Sequence, residues 1–491
     1  MNQHIIHLKN GRLAEDTPFN HVQQLVSNAI NHVGSGGIVV HFHGGLVSEA
    51  KGREIANRLT PVYQDAHAYP IFPVWESGLI ETIINNFSQI AGESFFQTIL
   101  LRARRIVGRK FAQDEGGRSV GVLPPVDFTL EEKALIDALG AEDDSLLPSD
   151  RVPTSQLTPL SATEQMTIEA ELQQDAELLL VVQEVSNGLR NPNGIVLDEA
   201  TRSAAPVVAS SATLMDPATA DRLVDRPDPS SRGIISTAKL VKAIVKVAVR
   251  VTKRYISNRD HGFHATIVEE ILREFYLANI GGAIWSQMKQ DTADSFGPNP
   301  QVFGGTALLT ELAKGVQLGA QPKVTLIGHS TGAVYISHLL KAADAILPED
   351  FKFDILLLAP ASTFDLLAET LTGQQERIGG FRMFTMADNK ERQDRLVPFL
   401  YPHSLLYFVS GVVESYADIP IIGMQRFYDE SNYEPGEFPN VECMRRYIRN
   451  MADWVVWSTG LGPHCKAVSH GDFDDDPTTL LSIKNILRNG F

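Results

Sequence analysis

The sequence predicts an α/β fold: a mostly parallel sheet flanked by helices and interrupted by a large, mostly helical, partly flexible insertion. Three observations carry this reading. Short aliphatic and β-branched runs, such as residues 38–42 and 324–327, are bounded by glycine or proline, as strands buried on both faces are. Helical periodicity alternates with those runs, and parallel strands need crossover helices. The alternation then fails over residues 112–232, where acids, prolines and Ser/Thr/Asp clusters accumulate.

Taken in order, residues 4–8 read as a short edge strand. Thr17-Pro18 supplies an N-cap and a proline at the first helical position, opening a helix that Gly34, Gly36 and Gly37 end near residue 32. Residues 38–42 form a buried strand. A helix over about 49–59 is expected to stop at Pro61, since a proline lacks the N–H its helix needs. Residues 69–75 are the next strand, and one long helix is expected over 79–111. Within the insertion, Thr129 with Glu132 and Ser161 with Glu164 make capping-box patterns, with Gly140 and Gly188 at the expected ends. Further helices are expected over 266–290 and 306–314. The resulting division is 1–111 and 301–491 as two parts of one core, with 112–300 between them as a cap or lid candidate.

Charge is concentrated. Residues 113–232 hold 22 Asp and Glu against 8 Lys and Arg, so nearly all of the net charge of −16 lies there. Next comes a basic helix over 234–256, with Lys239, Lys242, Lys246, Arg250 and Lys253 on one face and Leu240, Val241, Ile244, Val245 and Val249 on the other. Such a helix suits peripheral membrane contact or a lid over a lipid-binding cleft. It equally suits a core helix whose basic face pairs with the acidic segment just before it. The acidic balance argues against nucleic-acid binding, which needs a basic footprint. Two cysteines, Cys443 and Cys465, exclude a disulfide framework. No apolar run reaches the roughly 18–20 residues that span a bilayer, and Met1-Asn2-Gln3-His4 does not open a secretion signal. A cytoplasmic protein is expected.

The chemistry centres on Gly328-His329-Ser330-Thr331-Gly332, which follows the strand 324–327 and opens a helix with Val334, Ile336, Leu339 and Leu340 on its apolar face. Small residues beside a serine let the chain turn sharply and lift the hydroxyl above the sheet edge. A serine hydroxyl needs a base and oxyanion donors before it attacks a carbonyl. The Thr331 N–H, at the helix start, is one candidate donor. The second falls in His43-Gly44-Gly45-Leu46 at the end of strand 38–42, with Gly45 and Leu46 both open as donors. His41 and His43 on one strand face could pair on a metal, but no third ligand lies nearby in sequence.

An HGG loop, then G-H-S-x-G, then a late histidine resembles the α/β-hydrolase superfamily, lipases and esterases included. The resemblance covers residues 36–111 and about 300–491. It implies the chain order serine, acid, histidine. On that order the acid falls after the strand at 381–386, at Asp388, with Asp394 and Asp365 as alternatives. The base falls on a loop before the last helix, at His470, with His464 as the other choice; Asp476 and Pro477 then open that helix. The acids Asp472, Asp474, Asp475 and Asp476 are explained by charge at the helix N-terminus rather than by a metal. The implied activity is ester hydrolysis through Ser330, His470 and Asp388, with Thr331, Gly45 and Leu46 around the oxyanion, an acyl-enzyme intermediate, and no cofactor or metal. A small-molecule or lipid-like acyl substrate is expected. An amidase, peptidase or thioesterase would use the same triad, and a non-catalytic scaffold docking a membrane or partner through the basic helix is the remaining alternative.

Overall fold

A computed structural model describes residues 3–31, 34–45, 47–75, 80–116, 157–190, 213–225, 234–277, 280–397, 400–429, 433, 436, 438–449, 454–459 and 464–491. The strands are β1 (Ile5–Lys9), β2 (Arg12–Leu13), β3 (Gly37–Phe42), β4 (Ala68–Trp75), β5 (Val224–Asp225), β6 (Ile234–Ile235), β7 (Val324–His329), β8 (Phe353–Leu358), β9 (Ile378–Met386) and β10 (Val455–Ser458). Eight of them make one sheet in the order β10-β9-β8-β7-β3-β4-β1-β2, and β5 pairs with β6 separately. Every pairing in the large sheet is parallel except β1 with β2. The two-residue β2, not β1, is therefore the edge.

All residues of β3 and β7 are buried, because helices cover both faces. On one face, Val22, Leu25 and Val26 of helix Phe19–Asn31 and Leu308, Leu309 and Leu312 of helix Gly304–Gln317 meet Ile38, Val40 and Leu326 in a large core. On the other, Ile55, Leu59 and Tyr63 of helix Glu49–Asp65 join Ile483 and Leu487 of helix Pro477–Asn489 over Val39 and Ile327. The chain leaves β3 for β4 on one side, while β7 leads to β8 on the other. The carboxyl ends of β3 and β7 thus flank a switch point, where open α/β sheets place their ligands.

Three helices depart from expectation. Helix Glu49–Asp65 continues through Pro61, because its last turn is anchored by the buried Tyr63, whose hydroxyl is 2.8 Å from His41 Nδ1. The stretch 79–111 is two helices, Ile80–Ala91 and Ser94–Gly116, the second crossing the boundary expected at 111. They part at Gly92-Glu93, where Glu93 turns inward and its carboxylate accepts from Thr213 Oγ1, Tyr276 Oη and the Leu214 N–H. Residues 266–290 likewise divide into Phe263–Phe275 and Gly282–Asp294, with Gly281 between them at φ +102°.

The insertion shares the large core rather than forming its own: Leu178 and Val182, with Leu240 and Ile244, belong to the same cluster as the sheet residues. Ser161 and Glu164 form the expected capping box, but Gly188 lies inside helix Ala176–Arg190. Thr129, Glu132 and Gly140 fall outside the described residues. The basic helix is Thr237–Ile256, and of the aliphatic face expected on it Leu240, Val241, Ile244 and Val245 are buried and Val249 partly so. Among the described residues Lys239 pairs backward, 2.7 Å from Asp225. Lys246 and Arg250 instead meet Glu274 at 2.9 and 2.8 Å, and Arg254 meets Glu269 at 2.7 Å, all on the helix that follows. The stripe read as suited to a membrane is covered by protein. No helix among the described residues is long and apolar enough to cross a membrane.

Glu93→Ala leaves three donors facing a carboxylate that is gone, at about 1–3 kcal/mol for a buried unsatisfied group. Urea denaturation should show a loss of ~2–4 kcal/mol, and Glu93→Gln, which keeps an acceptor oxygen, should lose less.

Candidate functional site

Ser330 sits between β7 and helix Gly332–Ile346 with φ +53°, a left-handed conformation that side chains other than glycine rarely adopt. Both sides of the turn are held to the sheet: the Ser330 N–H donates to Leu358 O at 2.9 Å, and Ser330 O accepts from the Ala361 N–H at 3.0 Å. The flanking glycines have packing reasons. A Cβ on Gly332 would lie 2.4 Å from the Phe42 carbonyl oxygen, and one on Gly328 would lie 2.7 Å from Ile336 Cδ1 and 2.8 Å from the Gly332 carbonyl carbon. The helix can therefore return across β3 only if both positions lack side chains.

The imidazole of His470 meets this hydroxyl. Its Nε2 lies 2.9 Å from Ser330 Oγ, across 140 residues of sequence, and both residues are buried. His470 Nδ1 is buried and has no hydrogen-bond partner among the described residues. Burial, helped by the nearby His329, lowers the His470 pKa to about 3, so its ring is neutral near pH 7 and free to take a proton. His464 is exposed and contributes only its carbonyl oxygen, to Ser482.

Asp388, the residue expected as the acid, is held elsewhere. Asp388 opens the short helix Asp388–Glu391, and its Oδ1 accepts from the Tyr407 hydroxyl at 2.6 Å, whereas the hydrogen bonds of His470 go to Ser330, His329 and Asp394. Asp365 lies after β8 and accepts from Asn440 Nδ2 at 2.8 Å. Asp394, on the loop six residues beyond Asp388, is the one that reaches the base residue: its Oδ2 accepts the His470 main-chain N–H at 2.7 Å. Burial, with the charge of Asp472 adding, raises the Asp394 pKa to about 6 against that hydrogen bond. One helical turn after β9 displaces the contact from Asp388 to Asp394, a shift that counting residues past a strand cannot register.

The loop after β3 closes the other side. An added Cβ on Gly44 would stand 3.5 Å from Ser330 Cβ, and one on Gly45 would fall 2.0 Å from Thr331 Oγ1 and 2.1 Å from Met288 Sδ. Neither the Gly45 nor the Thr331 N–H donates to another described residue. Leu46 lies outside the described residues. Met288, on helix Gly282–Asp294 of the insertion, is thus a wall of the site that sequence reasoning did not single out. His43 is held by the Gly44 carbonyl at 2.7 Å and stacks on Trp75, while His41 faces Tyr63. Among the described residues they gather with no third metal-type side chain. Burial lowers their pKa values to about 4 and about 3.

Two more residues belong to the site and carried no signal of their own. His329, the variable position of G-x-S, has its Nε2 2.9 Å from the His470 carbonyl oxygen and its Nδ1 3.6 Å from Asp474 Oδ2. Asp474 was read as one of several acids at a helix start. In fact Asp476 alone is the N-cap; Asp472 accepts from the Val468 and Ser469 N–H groups, and Asp474 is buried. Elsewhere His7, Asp16 and Glu49 gather as metal-type side chains, but Arg53 already bridges the two carboxylates at 2.6 Å each.

No protein-family model, no curated protein and no solved structure matches the chain.

Gly332→Ala forces a methyl group against a main-chain oxygen that has no rotamer to move away. A loss of about 3 kcal/mol is expected, read as a lower denaturation midpoint. Gly45→Ala meets only side-chain atoms, so it should fold and instead distort the pocket beside Ser330.

Proposed function

We propose that the chain is a serine hydrolase of the α/β-hydrolase type that cleaves a carboxylic ester. The observation that carries this is the contact between Ser330 Oγ, raised on a left-handed turn at the carboxyl end of β7, and His470 Nε2. Two further features support it. The glycine loop stands after the strand neighbouring β7, as an oxyanion loop would, and serine, Asp394 and His470 follow one another in the order of that superfamily.

In this reading Ser330 Oγ attacks the ester carbonyl carbon as His470 Nε2 takes the hydroxyl proton. The oxyanion is met by the Thr331 N–H and an N–H of the 44–46 loop. His470 returns the proton to the departing alkoxide, which leaves as the alcohol, and then deprotonates the water that hydrolyses the acyl-serine. Each turnover creates an imidazolium in a site where burial disfavours it. A nearby carboxylate must offset that cost, and Asp394 is the reading we adopt in place of Asp388. Its hydrogen bond is to the His470 main-chain N–H, while Nδ1 of that ring has no hydrogen-bond partner among the described residues and the charge of Asp474 also favours the imidazolium; apo contacts of this kind often tighten only with substrate bound.

A fluorophosphonate probe should label the wild-type chain and not Ser330→Ala; labelling that survives this substitution would exclude Ser330 as the nucleophile. Short p-nitrophenyl esters should turn over while the matching p-nitroanilides do not, and the reverse preference would make the protein an amidase. Asp394→Asn should lower kcat by about 10²–10⁴-fold, whereas Asp388→Asn should stay within about threefold of wild type. Because the Asp394 pKa is raised to about 6, its carboxylate is lost as pH falls through that value. Activity should decline below about pH 6, and Asp394→Asn should abolish that limb of the pH profile.

A further inference from the structure

We propose that His329 and Asp474 form a positioning pair that fixes the loop of His470 to the strand bearing the nucleophile; this rests on the hydrolase reading above. The base stands on a loop, and loops are the parts of a fold least able to hold a side chain to a fraction of an ångström. Here the peptide groups of His470 are gripped from two elements. Asp394, beyond β9, takes the N–H at 2.7 Å, and His329, the last residue of β7, donates its Nε2–H to the C=O at 2.9 Å. Neighbouring residues at the end of a strand face opposite ways. His329 and Ser330 therefore straddle the strand end: one binds the backbone of residue 470, the other its side chain. Nucleophile and base take their positions from two adjacent residues.

His329 can serve only if its own ring is fixed with Nε2 as the donor. Asp474 faces the opposite nitrogen at 3.6 Å, and Arg58, from helix Glu49–Asp65, holds Asp474 in turn through its carbonyl at 2.9 Å and its Oδ1 at 3.4 Å. Burial by itself would lower the His329 pKa, yet Asp474 outweighs it and the net shift is upward. The same charges hold Asp474 below the ordinary carboxylate range despite its burial. Because a carbonyl oxygen can only accept, the bond to His470 requires the proton on Nε2, and a carboxylate beside Nδ1 favours the ring that carries a proton on both nitrogens. The rings of His329 and His470 lie 5.5 Å apart between centroids, so this is support through the backbone and not proton transfer.

The test compares His329→Leu, which removes the donor, with His329→Gln, which can place an amide N–H where Nε2 stood. Purified variants are assayed for kcat and KM on a p-nitrophenyl ester and for the rate of fluorophosphonate labelling. His329→Leu should lose about 10²-fold in kcat and in labelling rate with KM little changed, as a misplaced base does, and His329→Gln should recover most of the loss. Wild-type rates in a folded His329→Leu would overturn the proposal, and so would a His329→Gln as slow as His329→Leu. Should His329→Leu fail to fold, Asp474→Asn is read the same way: a drop in kcat at constant KM supports the pair, and an unchanged kcat overturns it. A wild-type chain that takes up no probe would instead sink the hydrolase reading, and this inference with it.

Discussion

The geometry of the site depends on a reversal of chain direction completed within one residue at the end of β7. Ser330 takes the left-handed conformation there, and the helix that follows packs back so closely that a Cβ on Gly332 would collide with the Phe42 carbonyl and one on Gly328 with Ile336. A side chain at either glycine would push the helix off β3. That would move the Thr331 N–H away from Gly45 and lower Ser330 from the position where it meets His470. The backbone strain is held by the sheet itself, through hydrogen bonds from Ser330 to Leu358 and from Ala361 to Ser330.

Around this turn the protein spends buried polar groups freely. Asp474 and His329, with the partly exposed Arg58 on Asp474, lie on one side of the sheet end, and a second group (His261, Glu269, Asp418, Arg254) packs among the inserted helices, with His261 2.7 Å from Glu269 and 3.0 Å from Asp418. Ion pairs of this kind add little net stability over an apolar core, but breaking one partner is costly, so they favour one packing over its alternatives. The second group ties helix Phe263–Phe275 to the segment around Asp418. It belongs to the layer that also carries Met288 to the edge of the site, so the insertion is part of the site's wall and not an appendage.

Much was legible because local rules coincided with the global arrangement. The runs at residues 38–42 and 324–327 are buried strands, Asp476 with Pro477 opens the last helix, and Ser161 with Glu164 caps its own. The helices expected to be single broke where a local feature gave way to a distant one: Glu93 left its helix for donors at residues 213, 214 and 276, and no local pattern announces partners so far away. Pro61 failed to end its helix because Tyr63 had a buried partner in His41. Among the described residues the basic helix meets most of its acids on the next helix, at Glu269 and Glu274, because the two helices pack against each other.

Sequence by itself determined the α/β class, the turn at Ser330 and the histidine that meets it, because each is written in short-range chemistry: glycine spacing, strand composition, a capped final helix. Tertiary structure alone decided that Asp394 and not Asp388 reaches that histidine, and that His329 and Asp474 hold its loop. Those choices turn on a few ångströms between segments 76 and 141 residues from His470, a distance no linear pattern encodes. The same holds for the covered face of the basic helix. Amphipathicity specifies that a stripe will be buried; only the assembled fold specifies what buries it.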